Sequence, residues 1–70
     1  MRVEYDKETD SLYIRLGKKG VKIVNSAEVE PGLVCDFAEN GDVVGLDIEN
    51  ASNRVDLDRI EFGSQQILIS

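Results

Sequence analysis

Residues 33–49, LVCDFAENGDVVGLDIE, decide the fold of this chain. Apolar residues alternate with polar ones on both sides of Asn40 and Gly41, the pair preferred at the tip of a two-residue type I′ hairpin. The apolar residues then face one another in pairs: Leu33 with Ile48, Cys35 with Leu46 and Phe37 with Val44. A four-residue loop keeps these pairs, whereas an odd-numbered loop moves one apolar set to the opposite face. The stretch therefore predicts an antiparallel hairpin with an even-numbered loop.

A second hairpin is predicted closer to the N-terminus, around the polar residues 6–11. The apolar residues on either side of this stretch lie two apart, a spacing typical of β-strands. One antiparallel register puts all of them on one face, with Val3 opposite Ile14 and Tyr5 opposite Leu12. The opposite face then carries Arg2, Glu4, Tyr13 and Arg15.

Turn signals separate the two hairpins. Glycines in residues 17–20 predict a turn, and residues 21–29 predict a looser strand with a bulge at residues 25–26, where the alternation falters. Pro31 followed by Gly32 predicts a type II turn, because proline presets φ at the second position and glycine supplies the positive φ of the third. The next strand is expected to begin at Leu33.

The C-terminal part changes character after the second hairpin. Residues 51–54 predict a loop or a single helical turn, and residues 55–62 a short helix, since two early aspartates favour a helix N-terminus. Residues 65–69 predict a last strand, rich in branched side chains. The expected fold is a single β-rich α+β domain over residues 1–70. It combines an antiparallel sheet of consecutive hairpins, about six strands in all, with one short C-terminal helix.

The small size of the chain favours association. Ordering 70 residues costs roughly 1.5 kcal/mol each in conformational entropy, so a core of this size leaves a thin stability margin. Cys35 is the single cysteine and histidine is absent, which excludes an intrachain disulfide and a zinc site of ordinary ligand type. Association with a second copy or with a partner protein is the remaining source of stability.

The charge and composition of the chain limit the classes of partner that it is expected to bind. The sequence has 14 acidic and 8 basic residues, and a net charge of −6 opposes binding to a phosphate backbone, so nucleic acid is not an expected partner. The charged, alternating N-terminus differs from a signal peptide, and no apolar run approaches the length of a membrane span. A cytoplasmic protein without a membrane partner is therefore expected.

Three motifs resemble a known family in their order and spacing. They lie in residues 3–16 (VEYDKETDSLYIRL), residues 28–32 (EVEPG) and residues 42–52 (DVVGLDIENAS). Together they resemble the prokaryotic family named domain of unknown function 2283, over about residues 3–54. The resemblance implies a bacterial or archaeal cytosolic setting, and it supplies no catalytic residues that could be carried over to this chain. Some members encoded beside small toxin-like proteins would imply an antitoxin-like, protein-binding role.

The sequence offers little catalytic chemistry. Cys35 falls on the apolar face of its hairpin, and no histidine is present to activate it or a serine. Acids at residues 6, 8 and 10 have the spacing of early calcium ligands, but the glycine and distant glutamate of an EF-hand loop are missing, which favours a solvated turn. Asp36 and Asp47 share the polar face, and Gly45 leaves room beside Asp36. The two acids either are exposed and keep the domain soluble, which is favoured, or form a weak site for Mg²⁺ or for a basic partner. No catalytic, cofactor-binding or metal-binding residue is predicted.

The polar face of the predicted sheet is the candidate functional surface. It mixes charged side chains with apolar ones, and Ala38 is one of the apolar residues expected there. Either the C-terminal segment covers this face, or a second chain docks there. The candidate interface residues are Tyr13, Arg15, Val34, Asp36, Val43 and Asp47.

The expected function is a non-enzymatic protein-interaction module, either a homo-oligomer or the acidic partner of a small basic protein. The alternative is a small metal-dependent enzyme or ligand binder that uses Asp36, Asp47 and Arg15. Whether residues 55–70 pack on their own sheet or exchange between chains stays open.

Overall fold

The computed structural model describes residues 1–59. Within them the chain forms one antiparallel sheet of five strands and a single turn of 3₁₀ helix. The strands are β1 (Arg2–Asp6), β2 (Ser11–Arg15), β3 (Asn25–Glu30), β4 (Leu33–Phe37) and β5 (Val43–Glu49), and the 3₁₀ turn is Ala51–Asn53. The predicted β-rich antiparallel sheet of consecutive hairpins is confirmed, with five strands.

The spatial order of the strands is β1-β2-β5-β4-β3, so β2 lies beside β5 and not beside the next strand in sequence. Strands β3, β4 and β5 follow one another as hairpins, and the long connection between β2 and β3 gives β2 to β5 the connectivity of a Greek key. Pairing of β2 with β5 sets Leu12 opposite Ile48 and Ile14 opposite Leu46. The apolar sets of the two predicted hairpins therefore join into one face, which we call the inner face.

The first hairpin has the predicted register. Val3 pairs with Ile14 and Tyr5 with Leu12 in the β1–β2 ladder. The connecting turn ends at Asp10, which has a positive φ of 53°. Aspartate tolerates this left-handed conformation better than most residues with a side chain.

The second hairpin differs from the prediction at its tip. Leu33 pairs with Ile48 and Cys35 with Leu46, as predicted, but Phe37 pairs with Val43. The amide of Gly41 donates to the carbonyl of Ala38 (2.9 Å), and the amide of Ala38 donates to the carbonyl of Asp42 (2.9 Å). With Gly41 at a φ of 91°, these bonds define a three-residue loop, and the predicted even-numbered type I′ loop is wrong.

A β-bulge compensates for the odd loop. Asp36 pairs with Gly45 and Phe37 with Val43, so Val44 is the extra residue of β5. The amides of Leu16 and Gly17 both donate to the Val44 carbonyl. The Val44 side chain is 4% exposed, and the bulge restores the predicted pairing of the apolar residues farther along the strands.

The third strand begins later than predicted. β3 starts at Asn25, which lies opposite Phe37, the last residue of β4. The amide of Val24, just before β3, still donates to the Phe37 carbonyl (2.9 Å). Its irregularity lies between Glu28 and Glu30, and not at residues 25–26 as predicted. The predicted type II turn is supported by Gly32, whose φ is 81°, and β4 begins at Leu33 as expected.

The predicted C-terminal helix is not confirmed. Residues 51–53 form the single helical turn that was one of the two expectations for this stretch. Residues 55–59 are not helical, because the Asp56 carboxylate accepts the amide of Asp58 (3.1 Å) and thus stabilises a local turn. The rest of that helix and the predicted strand at residues 65–69 lie outside the described residues.

The core includes residues of the inner face and one residue of the 3₁₀ turn. The buried apolar residues of the described part are Leu12, Cys35, Ala38, Val44 and Ala51. Among residues 1–59 no helix is both long and apolar enough to cross a membrane.

Candidate functional site on the outer face

The opposite side of the sheet, here called the outer face, carries most of the predicted interface. The register assigns thirteen residues to it: Arg2, Glu4, Asp6, Ser11, Tyr13, Arg15, Ser26, Glu28, Val34, Asp36, Gly45, Asp47 and Glu49. Six of these are acids and two are arginines. Arg2 pairs with Glu4 on its own strand at 3.0 Å. The outer face is therefore polar, and acids predominate on it.

A hydrogen-bonded cluster lies at the centre of this face. Tyr13 on β2 reaches across Gly45 on β5, and its hydroxyl donates to Asp36 Oδ2 on β4 at 2.8 Å. The hydroxyl of Ser26 on β3 donates to Asp36 Oδ1 at 2.6 Å. Four adjacent strands thus contribute to one cluster.

Gly45 makes this crossing possible. A Cβ added at this position would collide with the Tyr13 hydroxyl and would lie 2.9 Å from Tyr13 Cζ and 3.0 Å from Asp36 Oδ2. The sequence predicted that Gly45 would lie opposite Asp36 and leave room, and the register places it there. The side chain that fills this room is Tyr13.

Tyr13 is held as a neutral phenol. Partial burial, followed by the hydrogen bond to Asp36 and the charge of that carboxylate, raises the pKa of Tyr13 above its usual value. Arg15 lies on the same strand and partly offsets the rise in pKa. The Arg15 guanidinium also donates to the backbone carbonyl of Val21. The cluster therefore favours a protonated tyrosine and disfavours a phenolate nucleophile at neutral pH.

The structure brings five of the six predicted interface residues onto one face. Tyr13, Arg15 and Asp36 lie at its centre, and Val34 and Asp47 are direct cross-strand neighbours. Val43 is separated from them, because the bulge sets it opposite Phe37, which belongs to the inner face, and leaves it 41% exposed. Ala38, also expected on this side, is buried at the start of the 39–41 loop.

The sequence analysis left open whether several carboxylates bind a cation or are solvated. In the structure, two of these carboxylates, Asp36 and Asp6, accept hydrogen bonds from the protein. Both oxygens of Asp36 accept hydrogen bonds from the cluster. Asp6 accepts the amide of Glu8 at 3.0 Å, as a turn-forming aspartate does. Within residues 1–59, no three acidic or cysteine side chains are grouped in a way that would hold a metal ion. Cys35 is a buried thiol on the inner face.

Asp10 has a structural role that sequence reasoning did not identify. Its Oδ1 accepts the Tyr5 hydroxyl at 2.6 Å and the Ser52 amide at 3.0 Å, and its Oδ2 accepts the Ser52 hydroxyl at 2.7 Å. Its backbone carbonyl accepts the amide of Ala51, which is completely buried. The first hairpin turn thereby caps the 3₁₀ turn, 42 residues farther along the chain. Nothing in the local spacing signals this contact.

A second contact fixes the other side of the same segment. Arg54 donates to the carbonyl of Pro31 at 3.1 Å and forms an ion pair with Glu30 at 2.6 Å. The guanidinium lies over Gly32, where an added Cβ would be 2.7 Å from Arg54 Nη1. The three motifs noted in the sequence therefore meet around the 3₁₀ turn.

A comparison with protein-family models places most of the chain in one family. Residues 2–52 match the model of a family described as protein of unknown function (DUF2283). The chain belongs to the DUF2283 family. The matched range contains all five strands and ends at Ser52, so it includes both sides of the Asp10–Ser52 contact.

Other comparisons add no activity to the DUF2283 assignment. An uncharacterized protein of Methanocaldococcus jannaschii is 38% identical over 62 residues, which cover 89% of this chain and 51% of that protein. The chain thus spans about half the length of this curated relative. No solved structure matches the chain.

Proposed function

We propose that this DUF2283 domain is a non-enzymatic protein-interaction module whose outer face binds a basic segment of a partner protein. The observation that carries the proposal is a groove of about 600 Å³ between the first hairpin turn and the centre of the outer face. The residues that line it include the acids Glu4, Asp6, Glu8 and Asp47, together with Lys7 and Tyr13. An acidic groove beside an aromatic ring suits a lysine or arginine side chain.

The sign of the charge favours a basic partner over a second copy through this face. Two copies would bring the same six acids and two arginines together, and like charges across an interface weaken association. A basic segment instead gains attraction from the carboxylates. Tyr13 is already fixed by Asp36, so little side-chain ordering is needed on binding.

The alternative, a metal-dependent enzyme or ligand binder on Asp36, Asp47 and Arg15, has less support. Asp36 accepts bonds from Tyr13 and Ser26, and Arg15 donates to a backbone carbonyl. A ligand at these groups would have to displace existing partners. A titration with Mg²⁺, Mn²⁺ and Ca²⁺ followed by amide NMR would revive this alternative if the amides of both aspartates moved.

A peptide titration followed by NMR tests the proposed function, with a hexa-arginine peptide as the probe and a hexa-glutamate peptide as its control. We expect the basic peptide alone to shift the amides of Glu4, Tyr13 and Asp47, and the effect to weaken with added salt. Asp47→Asn should weaken binding by roughly two- to fivefold, as expected for one partly exposed charge. Glu39→Gln removes the same charge on the exposed 39–41 loop and serves as the matched control.

Two results would contradict the proposal. One is an equal loss of affinity in the Asp47→Asn and Glu39→Gln variants, which would indicate attraction by net charge alone. The other is a dimer, measured by light scattering after size exclusion, that Tyr13→Ala or Val34→Asp dissociates. That result would assign the outer face to a second copy of this chain.

A further inference from the structure

The inner face of the sheet is only partly covered by the described residues. A groove of about 480 Å³ runs over β1, β2 and β5, with a mainly apolar lining that includes Val3, Ile14, Leu46 and Ile48. Leu16 at its edge is 46% exposed, and among residues 1–59 no large side chain is completely buried. In stable domains a sheet buries its apolar face against a second layer, so we expect another segment to cover this groove.

The chain itself leads to this groove. Val55, Leu57 and Arg59 line it together with the strands, and Arg59 is the last described residue. In the sequence, residues 60–70 follow Arg59 directly. They contain the large apolar residues Ile60, Phe62, Ile67, Leu68 and Ile69 and a single charged residue, Glu61.

We propose that this groove is the docking site of residues 60–70 of the same chain, whose apolar side chains form the second layer over β1, β2 and β5. The length suffices, since these residues extend over as much as about 35 Å and three neighbouring strands span about 10 Å. The same chain is favoured over a second copy because no linker has to be crossed, which gives the segment a high effective concentration at the groove. The proposal concerns the inner face and is independent of peptide binding on the outer face.

The test is an NMR measurement of nuclear Overhauser effects on the full-length protein. We expect cross-peaks between the ring protons of Phe62 and the methyl groups of Ile14, Leu46 or Ile48. Phe62→Leu should remove these cross-peaks and leave those of the Phe37 ring. An isotope-filtered sample, mixed from labelled and unlabelled chains, separates contacts within one chain from contacts between chains.

A pair of variants provides a second measurement. Ile67→Ser should lower the thermal midpoint and shift the methyl signals of the groove residues, because it removes an apolar contact. Gln66→Ser, its matched control one residue away, should leave both unchanged. Cross-peaks only between chains, cross-peaks to the outer-face methyls of Val34, or no cross-peaks from Phe62 together with equal midpoints for the two variants would each overturn the proposal.

Discussion

On the outer face, the large side chain of Tyr13 is held by a hydrogen bond to Asp36, whereas on the inner face Leu12 is held by apolar packing. The outer cluster is complete in itself: the Tyr13 and Ser26 hydroxyls have a common acceptor, and Gly45 provides the space between strands. The inner face keeps an open apolar groove. One face of the sheet thus carries a hydrogen-bonded polar cluster, whereas the other carries an apolar groove.

Truncation on each face should show this difference most clearly. Leu12→Ala removes a side chain that is only 6% exposed and should lower the free energy of unfolding by about 2–4 kcal/mol. Val34→Ala on the outer face should cost less, because Val34 is half-buried. Urea unfolding of both variants measures the difference. Equal losses would show that the outer face also packs against a buried layer.

Gly45→Ala tests the close crossing on the outer face. The new methyl group would collide with the Tyr13 hydroxyl, so we expect a loss of about 1–3 kcal/mol in the free energy of unfolding. In a Tyr13→Ala background the same change should cost clearly less, because the obstructing ring is gone. Additive losses, measured by urea unfolding of the full double-mutant cycle, would mean that Tyr13 does not lie over Gly45.

Tyr13→Phe removes the hydroxyl and keeps the ring, so it measures the contribution of the hydroxyl to stability. Loss of the bond to Asp36 should lower the free energy of unfolding by about 0.5–1.5 kcal/mol, since Asp36 keeps the Ser26 hydroxyl. The raised pKa of Tyr13 stabilises the fold below the pKa of an unfolded tyrosine, and this contribution disappears as pH rises through the folded value. The variant should therefore lose less stability than the wild type in strong alkali, as measured by thermal unfolding.

The smallest change in stability is expected for a substitution of Asp10, which lies outside both faces. Hydrogen bonds from Tyr5 and then from Ser52 lower the pKa of Asp10, so its contribution is present above the unfolded aspartate value and is lost as pH falls through the folded value. Thermal midpoints measured from pH 6 to pH 2 should fall less steeply for Asp10→Asn than for the wild type. Glu39→Gln on the exposed loop is the control. Identical slopes for Asp10→Asn and the wild type would argue against the capping contact.

Much of the sheet could be predicted because hairpins are local. Alternation and a short turn together limit the register, and they were enough to predict the pairs Val3–Ile14 and Cys35–Leu46. The loop at Gly41 was mispredicted because Asn-Gly also suits a type I turn with a glycine bulge. The prediction of a helix was not confirmed at residues 55–59, because the Asp56 carboxylate accepts the amide of Asp58 and this bond competes with helix formation.

The candidate site was predicted as a set of residues and not as a set of contacts. Period two placed Tyr13, Asp36 and Asp47 on one side, but the crossing of Tyr13 over Gly45 requires β5 to lie between β2 and β4. No local pattern specifies that neighbour. Val43 left the predicted group for a related reason, since a single bulged residue reverses the alternation of faces along its strand.

The sequence by itself determined most of the strands, most of their hairpin registers and the turn at Gly32. These depend on interactions between residues close in the chain, where alternation and backbone conformation leave few choices. Only the tertiary structure decided that β2 pairs with β5, that Tyr13 bonds to Asp36, and that Asp10 caps the turn at Ser52. Such contacts join distant residues, and they are selected by the joint requirement to cover apolar surface and to pair buried polar groups throughout the fold.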